Sequence, residues 1–371
     1  MDTSAMEAPT FSAPQGAVAG RVRAVAAELS GIVDAIDKGE VYPADLMRRL
    51  GEAGAWASHL PRDGVVDLAP AIDSMAAIGE RCGATAFLGW CQNALVWYLA
   101  NSDNESLRNA HLDALASGRR LGGTGLSNPV KNFSGIESLK LKGRKVAGGY
   151  VVRGNLPWVS NLGDDHLFAA VCEDSEVPGS PVMFVADCAS PDIQLTACAP
   201  FLAMDGTATY SVQFRDVFIP DAMVLAHSAV PFVTKIRAGF ILLQMGMAIG
   251  LIRDCIKMMY EVRSTLGHVN KFLEEQPEDI EELLASMEKE AQMLAATPYD
   301  TSDAYWRRML ALRLRGGEAS VAAAHAAMLH CGARGYVMAH RAQRRLREAY
   351  FVAIVTPATK QLRKMLAEMP S

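Results

Sequence analysis

Small hydroxyls, glycines and aromatic side chains, rather than charged clusters, carry the chemistry this sequence can offer. Gly122-Gly123-Thr124-Gly125, continued by Leu126-Ser127-Asn128-Pro129, is a run of backbone N–H donors and small polar side chains. It stands where two differently composed parts of the chain meet, and such seams host ligands. The run lacks the third glycine and the strand-helix-strand setting of a dinucleotide fingerprint, and no G-x-x-x-x-G-K occurs, so Rossmann and P-loop folds are set aside. A nucleophile elbow reads G-x-S-x-G, whereas Gly125 to Pro129 ends in proline, which argues against a hydrolase. None of the eight histidines sits in an H-E-x-x-H setting and no C-x-x-C pair is present; no metal site is expected. Trp90-Cys91-Gln92-Asn93 with Trp97 and Tyr98 reads either as the lining of a pocket or as plain helix packing.

The elements that must position these residues follow from two shifts in composition. The 371 residues divide into helix-like, strand-like and helix-like parts. Ala- and Leu-rich 3.6-type periodicity, as in Val22, Val25, Ala26 and Leu29, predicts a helical domain over 1–119. Short β-rich runs at Leu139–Leu141, Tyr150–Val152, His166–Val171, Met183–Val185 and Thr209–Phe214, with turns such as Ala147-Gly148-Gly149, predict an antiparallel β domain over 120–228. Helical periodicity then returns over 229–371, in segments near 238–265, 277–294, 305–329 and 333–353, and predicts a four-helix bundle with Pro277 at a first helical position. The fold class is therefore α+β.

With 36 Lys and Arg against 41 Asp and Glu, the net charge of −5 argues against a nucleic-acid binder. The seven dispersed cysteines read as reduced thiols, and the N-terminal stretch MDTSAMEAPTFSAPQGA has no export signal; the expected location is the cytoplasm. Gly239 to Ile252 is near-apolar but holds Gln244 and falls short of the roughly eighteen residues that a membrane span needs, so a buried core helix is expected.

Four phrases in this order resemble the acyl-CoA dehydrogenase family of flavoproteins. They are Gly123 to Pro129; Gly148 to Gly154 followed by Leu156-Pro157-Trp158-Val159-Ser160-Asn161; Gly206 to Thr209 with Val212 to Pro220; and Val262 to Gly267 with Cys331 to Tyr336 and Arg345 to Ala349. The resemblance implies a flavoenzyme that passes a hydride from an acyl-thioester substrate to FAD, with FMN the alternative. It implies cofactor contacts from Leu126, Ser127, Trp158, Val159 and Ser160, the indole packing on the flavin ring and the hydroxyls meeting its polar edge. It further implies that Arg263, Gly332 and Gly335 complete the site across the interface of a homodimer or homotetramer.

The departures bear on function. Asn128 replaces the family's acid, Leu266 an aromatic, and Leu329, beside His330, a glutamine. The family removes a proton alpha to a thioester with a carboxylate at one of two places; those places here hold Thr356, followed by Pro357, and Phe240. Neither is a base near neutral pH, and no catalytic residue is assigned. Three readings stay open: a dehydrogenase-type flavoenzyme with another base or none, a flavin-dependent monooxygenase or oxidase, and a member that binds flavin or acyl thioester without turnover.

Overall fold

A computed structural model describes residues 15–369. Most of the stretch read above as lacking an export signal lies outside them. Among the described residues six α-helices come first: α1 (Gln15–Ala27), α2 (Val33–Asp37), α3 (Ala44–Glu52), α4 (Ala69–Gly79), α5 (Gly83–Asn101) and α6 (Glu105–Ala116). Apolar residues surround α5 on all sides, and it is accordingly buried along nearly its whole length, as expected of a helix with no solvent face. Cys82 Sγ caps it by accepting from Thr85 N.

The sheet follows: β1 (Gly122–Thr124), helix α7 (Ser127–Phe133), β2 (Leu141–Val146), β3 (Gly149–Val159), β4 (Leu167–Asp174), β5 (Pro181–Asp187), β6 (Ile193–Ala197), β7 (Tyr210–Pro220) and β8 (Val224–Ala226). Its order is β6-β7-β3-β2-β4-β5-β8, with β1 beside β4. Ala147 and Gly148 form the two-residue turn between β2 and β3, and Gly148 takes the left-handed φ of +77° that a residue without Cβ adopts at no cost. The expected antiparallel sheet is a mixed one, because β1 and β2 both run parallel to β4. The α7 crossover between β1 and β2 lets both point the same way.

The remaining chain is helical: α8 (Ala229–Leu242), α9 (Met245–Asn270), α10 (Pro277–Ala295), α11 (Asp303–Cys331), α12 (Arg341–Ile354) and α13 (Thr359–Glu368). Pro277 does open α10, reinforced by a capping box between Gln276 and Asp279. Residues 229–270 are long and apolar enough to cross a membrane by length and composition, yet 94% of the apolar window is buried inside the fold. Helix α9 packs closely on α4 because Gly250 has no Cβ; one built there would stand 2.4 Å from Ala76 O. A buried ion-pair set ties α12 inward. Arg345 donates to Asp254 at 2.7 Å and to Glu348 at 2.8 Å, and Glu348 accepts from the N–H of Gly83 at the start of α5.

Candidate functional site

The sheet, α5 and the C-terminal helices enclose a cavity of about 1140 Å³. Helix α5 supplies its floor with Phe87, Trp90 and Cys91, which the spacing i, i+3, i+4 brings to one face. Burial pushes the Cys91 thiol up, so it is protonated at neutral pH and no nucleophile.

One wall comes from the sheet. Thr124 and Ser127 stand at the end of β1 and the start of α7; Trp158 and Ser160 stand at the end of β3, with Thr207 and Thr209 beside them. The hydroxyls form short chains: Ser160 to Thr209 at 2.7 Å, Thr209 to Thr207 at 2.9 Å, and Thr124 to the buried Tyr98 at 3.1 Å. Trp158 is 61% exposed, so its indole faces open space. Asn161, next in the chain, adopts a left-handed φ of +62°, which asparagine tolerates better than most residues. Its Nδ2 donates to Gly122 O at 2.6 Å and its Oδ1 accepts from Tyr42. This one side chain therefore fixes β1, and Ser127 beyond it, relative to Trp158 and Ser160.

The facing wall comes from α8 and from the end of α12. Phe240 and Thr356 line it, together with Tyr350 and Ile354. Trp90 Nε1 donates to Phe240 O at 3.0 Å and its ring meets the Phe240 ring edge-on at 5.1 Å. Thr356 Oγ1 lies 2.8 Å from Ser127 Oγ, joining the two walls. Gln244, at the break between α8 and α9, donates to Thr356 O at 2.9 Å and accepts from Arg313 at 2.6 Å.

Of the residues singled out from sequence, Ser127, Trp158 and Ser160 meet around this cavity. The Leu126 and Val159 side chains point away, one into the helical core and the other into the core of the sheet, which leaves their backbone as what they can offer a ligand. Arg263 lies apart on the exposed C-terminal part of the otherwise buried α9, paired with Glu278. Gly332 and Gly335 flank the C-terminal end of α11, beside the exposed Tyr336 and Met338. His330 is buried, its Nε2 2.9 Å from Glu275 O. In the aromatic run of α5, Trp90 and Cys91 reach the cavity, whereas Gln92 anchors β1 by accepting from Gly122 N at 2.8 Å and Trp97 donates to Ile236 O. Among the described residues no group of three His, Cys, Asp or Glu is placed to hold a metal. Sequence reasoning missed Gln244 and Arg313 as parts of this wall. The one available signal was the single polar side chain inside the apolar run 239–252.

Glu137 is the carboxylate among the described residues that line the cavity; its Oε1 accepts from Asn128 at 2.8 Å, with Lys131 4.0 Å away. Positions 356 and 240, on the wall formed by α8 and the end of α12, carry a hydroxyl and a phenyl ring.

No family model matches the chain. It is 24% identical over 360 residues to human mitochondrial short-chain specific acyl-CoA dehydrogenase, covering 92% of this chain and 85% of that protein. It is 31% identical over 155 residues, 41% of this chain, to Pongo abelii isovaleryl-CoA dehydrogenase, of which the match spans 35%. Among solved structures, butyryl-CoA dehydrogenase from Megasphaera elsdenii superposes with a TM-score of 0.83 at 14% identity, over 97% of this chain and 98% of the other. A glutaryl-CoA dehydrogenase from Mycobacterium smegmatis in complex with FADH2 superposes with 0.76 at 17% identity, over 96% and 95%.

Proposed function

We propose that this chain, which has the acyl-CoA dehydrogenase fold and acyl-CoA dehydrogenases among its homologues, is a flavin-dependent oxidoreductase whose cofactor ring occupies the cavity between Trp158 and the α12 wall. The carrying observation is the exposed indole of Trp158 beside the hydroxyls of Ser127 and Ser160. A flat heteroaromatic ring would cover that indole and take hydrogen bonds along its polar edge. Leu202 and Ile354, 71% and 65% exposed, also line the cavity, and apolar surface this open gains most when a ring covers it. The residues thus fit a flavin, FAD first and FMN second.

Bound there, the flavin would supply a two-electron acceptor. The chain's own residues do the rest. Trp158 sets the plane of the ring, Ser127 and Ser160 fix its edge, and Phe87, Trp90 and Phe240 keep water from the opposite face. Thr356 and Phe240 can orient a substrate but cannot take a proton from carbon. The substrate class nearest to this reading is an acyl thioester that gives up a hydride.

The absence of a carboxylate at 356 and 240 favours a second reading, an oxidase or monooxygenase on the same scaffold, since oxygen chemistry at a reduced flavin does not call for an alpha-proton base. The visible spectrum of the purified protein, before and after reconstitution with FAD and FMN, tests the cofactor. Anaerobic bleaching by acyl-CoAs, set against turnover of reduced flavin with oxygen, separates the two activities. A protein that stays colourless throughout sinks the reading.

A further inference from the structure

The cavity wall opposite Trp158 has a buried charge behind it. Arg313, midway along α11, is 1% exposed. Its Nε donates to Gln244 Oε1 and its Nη2 to Val352 O, each at 2.6 Å, and no carboxylate among the described residues forms an ion pair with it. Burial pushes its pKa down, to about 10, so at neutral pH it remains a cation. The other two deeply buried arginines behave as buried charges usually do: Arg344 and Arg345 share the carboxylate of Glu348 at 2.9 and 2.8 Å.

Arg313 is met by the Gln244 amide oxygen and by the carbonyl end of α12, where Val352 lies in the last turn. A helix C-terminus carries a partial negative charge, so the guanidinium is met by dipoles rather than by a full counter-charge. The route from it to the cavity is short. Gln244, itself fully buried, passes from Arg313 to Thr356 O, and Thr356 Oγ1 meets Ser127 Oγ at 2.8 Å. Two hydroxyls that share one hydrogen between them keep the second for a ligand. Glu137, held by Asn128 and paired with Lys131, makes no hydrogen bond to this corner's hydroxyls, and Lys360 adds positive charge to the cavity lining.

We propose that the Thr356 hydroxyl, accepting from Ser127 and so free to donate, is an anion-receiving subsite that takes a carboxylate carried by the substrate, with Arg313 its positioning residue acting through Gln244. This rests on reading the cavity as the substrate site.

Isothermal titration of the purified protein with butyrate and with its neutral isostere butyramide tests the subsite. Wild type is expected to hold butyrate about tenfold tighter or more. That preference disappears in Arg313→Met and returns in Arg313→Lys. It also disappears in Gln244→Glu, where the new carboxylate pairs the buried guanidinium; this variant keeps the size of the side chain and its acceptor to Arg313, and carries the test should Arg313→Met fail to fold. Equal affinity for the two probes in wild type, no binding of either, or a preference that survives in Gln244→Glu overturns the proposal. Colourless protein that still prefers butyrate would sink the flavin reading and leave the subsite standing, and flavin-loaded protein without the preference would do the reverse.

Discussion

Ser127 and Thr356 touch across the cavity, hydroxyl to hydroxyl at 2.8 Å, although 229 residues separate them in the chain. One comes from the start of a helix beside the sheet and the other from the segment after α12, so their contact closes the seam on which the proposed chemistry depends.

Thr356→Glu is the direct test of the missing base. General-base help typically contributes about 10²–10⁴ in rate, so wild type should reduce its flavin negligibly with butyryl- or octanoyl-CoA, and the variant should gain. The Arg313 charge would hold a carboxylate at 356 ionised and weaken it as a base, which puts the expected gain near 10², the lower end. Anaerobic stopped-flow bleaching measures it; rapid bleaching of wild type would mean that a base acts from a third position.

Trp158→Ala separates packing from ligand binding. A core tryptophan would cost several kcal/mol of stability when truncated, but this indole is 61% exposed, so the melting temperature of cofactor-free protein should barely move. Flavin affinity should fall by about 2–4 kcal/mol, about 30- to 1000-fold. A fluorescence titration showing unchanged affinity would remove Trp158 from the ring site.

Arg263, Gly332 and Gly335 do not line the cavity; the two glycines adjoin Tyr336 and Met338, which are 84% and 74% exposed. The resemblance assigns this surface to an interface that completes an FAD site. We therefore expect a dimer or tetramer by light scattering, with Tyr336→Asp shifting it toward monomer and releasing FAD. A monomer that retains FAD contradicts this.

His59 sets part of the acid limb of stability. It is fully buried near Trp97, and burial pushes its pKa down from 6.5 to about 3. Between those values the unfolded chain binds a proton that the folded one does not. Stability therefore falls as pH drops through this window, by up to about 1.4 kcal/mol per pH unit from this group. Denaturant titrations from pH 7 to about pH 4 should show a shallower slope in His59→Leu; an identical slope would clear His59 of the role.

Much of this was legible in the sequence. Short β-rich runs bounded by turn residues marked β3, β5 and β7, and the Trp158-Val159-Ser160 phrase led to the cavity wall. Other features were not. Ser127–Phe133 is helical although Pro129 sits in it, because a first-turn residue needs no intrahelical N–H partner. The parallel pairings of β4 leave no local trace, since register between distant strands is decided by the connection between them. The helix expected near 238–265 breaks at Leu243 and Gln244, where the glutamine turns to Arg313, 69 residues away. That arginine reads as an ordinary surface side chain until the fold buries it.

The Glu348 carboxylate holds Gly83 N at the start of α5 and, through Arg345, Asp254 of α9. It thereby splices the helix that carries Phe87 and Trp90 to the helix that carries Tyr350 and leads to Thr356. The spacing of floor and far wall is set by one buried knot rather than by loops. A chamber braced in this way would act as a gauge of thickness, favouring flat guests, and a substitution at Glu348 should loosen that tolerance without altering a residue that lines the cavity.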